Sequence, residues 1–340
     1  MAKLWLYPMS PSSKCELTSI QMIEKGKTFE ALTDPISLAR LIKSDEKTLK
    51  KWAEKPQYSQ FDIPKAGGAK RLIQTPVGEL KDLQHKLNTY LQCVYHYLKP
   101  PCAYGFILNA ADELRLRNIY TNAMQHLNAQ WVLNMDIKDF FPTINSQMLH
   151  TALKELLGFQ KPLLNLLIGL TTCKGKLPTG APTSPILSNL VCLDVDMKLQ
   201  SLARAYDAIY TRYADDMTFS FDTKPTIEAQ NAIRQIIENQ GFMLNDTKTT
   251  LTPLSKNPEV TGLILKPDKP DVSRTFIKDL KRDIKIWHWL HLEENLIRGF
   301  YTEKVLDKLH RSIMGQLQFI AFVRGKEDRK YLRLVGALAG

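Results

Sequence analysis

The stretch IYTRYADDMTFSF, Ile209 to Phe221, is dense in β-branched and aromatic residues on both sides of two adjacent carboxylates, Asp215 and Asp216. Such flanks predict strand. Asp is depleted in strands and neighbouring carboxylates repel each other, so the pair needs a reason. A tight hairpin with Ala214, Asp215 and Asp216 at its tip is one reason, although the Asn-Gly or Asp-Gly that a two-residue hairpin favours is missing. A multivalent cation is the other, because it makes clustered carboxylates favourable. The pair alone leaves both open.

Two more segments bear on the choice. In QWVLNMDI, Asp136 ends a strand-like run that begins at Trp131, and it precedes Asp215 by 79 residues. Alone it is an ordinary strand-end residue. Between the two lies LPTGAPTSPILSN, a Gly/Pro-rich turn running into a helix start. Such a turn admits close backbone approach to a ligand, and a helix N-terminus favours anions. Taken together the three fit phosphoryl transfer by two metal ions about 3.5–4 Å apart, held by carboxylates on adjacent strands. Magnesium takes oxygen ligands and keeps waters and substrate phosphates in its shell.

The remaining pattern predicts an α+β fold with helical flanks. Residues 1 to about 55 have helical period, with Ser44 or Asp45 as a cap. FDIPKAGGAKRLIQTP is a hairpin turning at Gly67-Gly68. Residues 79–98, 146–159 and 161–173 are helical. SPILSNLVCLDVDMKLQSLARAY is one long helix. TIEAQNAIRQIIENQGFMLN is a helix closed by Gly241 and followed by a strand, and EVTGLIL is a strand.

The 340 residues carry a net charge of +11, which favours a polyanionic partner, nucleic acid before membrane. From Lys266 onward there are 16 Lys and Arg against 10 Asp and Glu, so the surplus is concentrated there. The apolar runs are too short for a membrane span. The N-terminus makes a poor signal peptide, and the five cysteines lack CxxC spacing, which together predict a cytoplasmic setting without structural zinc.

YADD in a strand setting, DIKDFF upstream of it and LPTGAPTSP between them resemble the catalytic motifs of reverse transcriptases, over roughly Phe61 to Leu265. TNAMQH and EVTGL resemble the N-A-x-x-H and V-T-G elements of the bacterial retron enzymes, as does a compactness that leaves no room for an appended nuclease domain. The resemblance implies a right-hand polymerase: an N-terminal helical segment over 1–55, fingers and palm (an antiparallel sheet plus helices) over 56–266, and a helical thumb over 267–340. It implies Asp136, Asp215 and Asp216 as catalytic ligands of two Mg2+ ions. Phe141 falls at the steric-gate position, where its bulk takes the place of a ribose 2′-OH, whereas Phe140 reads as a core aromatic. Lys65, Lys70 and Arg71 flank the fingertip turn that grips the triphosphate, or form a solvated basic hairpin. Thr179 and Gly180 line the nucleotide pocket, although many relatives carry Gln in place of Thr179. Lys248 falls near the pyrophosphate leaving group, or is a turn lysine.

Asn122 and His126 share a face if their segment is helical, and with Thr261 and Gly262 they are candidate RNA contacts. The alternatives are a plain helix-surface pair, or a His satisfied by a carbonyl, and a strand bulge. In RTFIKDLKRDIKIWHWL, Ile277, Leu280, Ile284 and Trp287 recur at helical spacing, and Lys278, Lys281, Arg282 and Lys285 follow one position later. One stripe packs inward and the other meets solvent or phosphate. The implied function is a retron-type RNA-directed DNA polymerase. It extends the 2′-OH of one guanosine in a structured noncoding RNA into a branched RNA–DNA molecule, within an antiviral defence system that has a separate effector protein. The alternatives are an intron-like or diversity-generating enzyme using a 3′-OH primer, or a noncatalytic RNA-binding protein on the same fold.

Overall fold

The computed structural model describes residues 14–64, 68, 70–292 and 303–339, so Lys65 and most of the fingertip turn lie outside the described residues. Three short helices come first: α1 (Ser19–Glu30), α2 (Pro35–Leu41) and α3 (Glu46–Glu54). Thr18, Asp34 and Asp45 cap them by accepting backbone N–H bonds three residues on. They pack on α4 (Glu79–Leu98) and, further along, α8 (Lys161–Thr171), which follows α7 (Ser146–Leu157). Strands β1 (Tyr58–Pro64) and β2 (Lys70–Pro76) form the antiparallel fingers hairpin.

The palm is a four-stranded antiparallel sheet. It contains β3 (Trp131–Asp136), β4 (Ile209–Tyr213), β5 (Asp216–Phe221) and β6 (Thr250–Pro253), in the order β4-β5-β3-β6. Helices α9 (Ser184–Val191), α10 (Leu193–Ala205) and α11 (Ile227–Asn239) accompany it. A smaller sheet, β7 (Glu259–Val260), β8 (Leu263–Leu265) and β9 (Pro270–Asp271), leads to the thumb helices α12 (Arg274–Leu292), α13 (Glu303–Arg324) and α14 (Arg329–Ala339).

Two main hydrophobic cores result, and β3 contributes to both. Leu133, with no exposed surface, belongs to the core shared by the palm and the N-terminal helices. Val132, on the opposite face of the pleat, joins the core formed by the small sheet, the thumb and α5 (Ile119–Met124). Each such side chain contributes about 1.5–3 kcal/mol by burial. On α12, Leu280 and Ile284 are buried while Lys278, Lys281, Arg282 and Lys285 are exposed, as the two offset stripes anticipate. Among the described residues no helix is long and apolar enough to cross a membrane.

One expectation is met and two are corrected. A strand follows Gly241, at Thr250 beyond a 3-10 turn over Asp246–Lys248. The long helix is two helices parted at Cys192, whose φ of −79° and ψ of −3° keep it in the right-handed region. EVTGLIL is a hairpin: Val260 faces Leu263 across a two-residue turn in which Thr261 (φ 48°) and Gly262 (φ 86°) are both left-handed. Positive φ at both central residues is the turn geometry that matches strand twist.

Candidate active site

The Asp215–Asp216 pair sits at the tip of a tight hairpin, the first of its two readings. Tyr213 faces Asp216 across β4 and β5, so Ala214 and Asp215 are the two residues of a tight turn. Ala214, at φ 59°, takes the left-handed conformation that the missing glycine would supply. On the other side of β5, Asp216 faces Asp136 at the end of β3. The Ile137 N–H donates to the Asp215 carbonyl at 3.0 Å, which ties the turn to the chain leaving β3. The fold therefore delivers three carboxylates from two neighbouring strands to one sheet end.

Asp136 is buried, and its Oδ1 accepts a hydrogen bond from Lys248 Nζ at 2.6 Å. Lys248 sits on the 3-10 turn beside β6, and the Asn245 N–H donates to the Asp136 carbonyl at 2.8 Å. Among the described residues no three acidic, His or Cys side chains are already gathered in metal-holding positions. The donor set nonetheless suits a hard cation, and the ammonium on Asp136 is itself a stand-in positive charge.

Around this centre, on α6 (Phe140–Thr143), Phe140 is buried while Phe141 is half-buried, its ring tilted against those of Phe140 and Phe106 with centroids 5.5 and 5.8 Å away. Thr179 accepts the Gln74 N–H of β2 through its carbonyl, at 2.8 Å. Gly180, at φ 122°, lies so close to the same strand that a Cβ would stand 2.8 Å from Ile73 Cγ2. The close approach this glycine permits is to the fingers strand. Lys70 and Arg71 are consecutive in β2 and so point to opposite faces. Lys70 is exposed, 3.8 Å from Asp62.

The four candidate RNA contacts converge, with a correction. Helix α5 ends at Met124, so His126 lies on the turn beyond it. His126 has no exposed surface, and its two ring nitrogens meet Ser220 Oγ at 2.8 Å and Thr211 Oγ at 2.7 Å, on β5 and β4. Asn122 is 1% exposed, with Nδ2 3.5 Å from Thr261 Oγ1. Neither side chain offers a surface to RNA. His126 ties the turn after α5 to the β4–β5 hairpin, and Asn122 buttresses the strained Thr261 turn. Among these four, Thr261 and Gly262 are the residues with accessible surface.

Burial pushes the His126 imidazole down to about 3. The unfolded chain binds a proton near pH 6.5 that the folded one refuses until about pH 3, so His126 costs stability as pH falls through that window. The slope is at most about 1.4 kcal/mol per pH unit. Chemical denaturation of the wild type and His126→Gln between pH 7 and 4 should show a flatter acid limb in the variant. Parallel limbs would refute the buried neutral state.

Beneath the turn lies a cluster that sequence inspection passes over. Arg212 is 1% exposed, and its guanidinium grips Asp196 of α10 through Nε and Nη2 at 2.8 and 2.6 Å. A basic residue inside a strand whose neighbours are buried was the available signal.

The family model for reverse transcriptase (RNA-dependent DNA polymerase) matches residues 63–265, so the chain belongs to the reverse transcriptases. It is 30% identical to the retron Ec86 reverse transcriptase of Escherichia coli over 83% of this chain and 81% of that protein. It is 33% identical to the retron Ec73 enzyme of the same species, over 81% and 85%. To the retron Mx65 enzyme of Myxococcus xanthus it is 34% identical over 61% of this chain, spanning half of that longer protein. This is a retron-type reverse transcriptase, an RNA-directed DNA polymerase with a right-hand fold.

Proposed function

We propose that Asp136, Asp215 and Asp216 are the catalytic carboxylates and that they hold two Mg2+ ions. The observation that carries this is the register that sets Asp216 opposite Asp136 with Asp215 in the adjoining turn. Two ions held by these carboxylates would supply Lewis acidity for the attacking hydroxyl and positive charge for the dNTP α-phosphate and the departing pyrophosphate. The protein's own residues align the reactants. Gly180 and Thr179 dock the fingers strand bearing Lys70 and Arg71 beside the nucleotide, and Lys65 belongs to the same grip. Lys248 answers the charge of Asp136 at 2.6 Å and would stand near the departing pyrophosphate.

Phe141 is the sugar gate. Phe141→Val should admit ribonucleotides, whereas Phe140→Val, a core truncation, should lower stability without changing sugar choice. Relative incorporation of dNTP and rNTP on one template measures this, and unchanged discrimination in Phe141→Val places the gate elsewhere.

The substrate is a structured noncoding RNA primed at an internal 2′-OH, giving branched RNA–DNA, and the system serves antiviral defence with an effector protein, in the cytoplasm. Kinship to retron enzymes supports this reading. Exposed Lys278, Lys281, Arg282 and Lys285 position the nucleic acid through its phosphates, and the Thr261–Gly262 turn contacts the RNA directly. Sequencing the nucleic acid that copurifies with the protein tests it. One discrete small RNA carrying covalently attached DNA is expected. A protein that carries no discrete RNA and extends any 3′-primed template equally well would overturn it.

A further inference from the structure

We infer that Arg212 is a positioning residue for the catalytic turn: paired with Asp196 and steered by Asn189, its guanidinium holds the Ala214 carbonyl and so sets where Asp215 and Asp216 stand. The inference rests on the assignment of those two aspartates as catalytic.

The guanidinium divides its donors. Nε and Nη2 form a fork on the two oxygens of Asp196, at 2.8 and 2.6 Å. Nη1 donates to Asn189 Oδ1 at 3.0 Å and to the Ala214 carbonyl at 3.2 Å. Tyr210 OH donates to Asp196 Oδ1 at 2.9 Å, fixing the carboxylate from the same face of β4. Asn189 reaches in the other direction too, donating through Nδ2 to the Gly105 carbonyl at 3.0 Å. Gly105 presses on the turn itself, since a Cβ there would stand 2.5 Å from the Ala214 nitrogen. Burial disfavours the charged guanidinium, and Asp196 more than offsets this, so Arg212 stays protonated.

Stability alone is a weak reason for such a pair. A buried ion pair contributes about as much as a well-packed hydrophobic replacement, or less. What a hydrophobic pair cannot do is donate to a carbonyl in a strained turn. Ala214 is a non-glycine residue at φ 59°, a conformation that persists only where its surroundings fix it. Arg212 below and Gly105 alongside are those surroundings. Lysine would not serve, because a point ammonium cannot make the fork and the turn bond together.

The test removes the network without stranding a charge. Arg212→Met/Asp196→Leu/Tyr210→Phe deletes the ions and the hydroxyl that depends on them. The folded variant should bind a primed RNA template within about twofold of wild type. Its kcat should fall about 10- to 100-fold, and its Mn2+ affinity, read by electron paramagnetic resonance, should weaken about tenfold or more. Arg212→Lys keeps a charge beside Asp196 but cannot make the fork and the turn bond together, so it should give the same signature and decides the matter alone if the triple variant does not fold. Wild-type Mn2+ affinity and kcat in either folded variant would overturn the inference. Asp215→Asn, run in parallel, separates the two failures. If that variant stays active, the catalytic assignment is wrong. If it is inactive while the network variants are unimpaired, only the role of Arg212 falls.

Discussion

Asp216→Asn should abolish DNA synthesis on a primed RNA, by about a thousandfold or more, in a protein that still folds. Asn keeps the shape but replaces a charged oxygen ligand, and removing one preorganised electrostatic partner at a reacting centre costs about 10²–10³ in rate. Loss of one of three carboxylates that would hold two cations should lie at or beyond the upper end. The same change relieves repulsion where Asp216 faces Asp136 and follows Asp215. Without metal the melting temperature should therefore stay level or rise. Primer extension, with thermal melts in chelator, reads both effects. Near-wild-type turnover would remove Asp216 from the catalytic set. A collapsed melting temperature would show that the carboxylate holds the hairpin together, which the repulsion argument forbids. Copurified RNA should be retained, because the surfaces proposed to bind it lie elsewhere.

The second large effect concerns the thumb. Lys281, Arg282 and Lys285 are all exposed on α12, but they are not equivalent. Arg282 stands 3.2 and 3.3 Å from Asp279 and Asp283, so part of its charge is already answered. Replacing all three by Ala should therefore remove about two phosphate contacts. By counterion release that is about 30-fold in affinity at 0.15 M salt, with the salt slope shallower by about two. The loss should be equal for cognate and unrelated RNA, since phosphate contacts carry no sequence information. Filter binding over a salt series measures both quantities. An unchanged slope would move the nucleic-acid path off this face, and a loss confined to the cognate RNA would turn these residues into readers of sequence.

How much was legible in the sequence depended on how local the cause was. The carboxylates of YADD announce themselves because adjacent like charges are abnormal in a strand, whereas Asp136 of DIKDFF alone reads as an ordinary strand end and gains meaning only beside them. Amphipathic stripes on α12 and the cap at Asp45 follow from spacing alone. The reading of His126 failed because a histidine's role depends on what packs around it. Its partners Thr211 and Ser220 are 85 and 94 residues away. Gly180 was recognised as a point of close approach, but the approaching body is β2, which only the folded chain identifies. EVTGLIL reads as one strand by composition. Its reversal rests on two left-handed residues, one of them Thr261, a β-branched residue that local preference would keep out of that conformation.

The strand order also bears on when the enzyme becomes an enzyme. β3, which ends in Asp136, borders β5 on one edge and β6 on the other, and neither is its neighbour in the chain. During synthesis the palm strand emerges with both edges bare. It gains its first partner only after Phe221 has left the ribosome and its second after Pro253. Lys248 and the small sheet that holds α5 arrive in the same late interval. Such long-range pairing is slow to form, and it leaves the nascent first half dependent on strands made later. A nascent chain that has emerged only as far as Thr249 would thus display β3 with one uncovered edge, and the proposed site would be complete only once Pro253 has emerged.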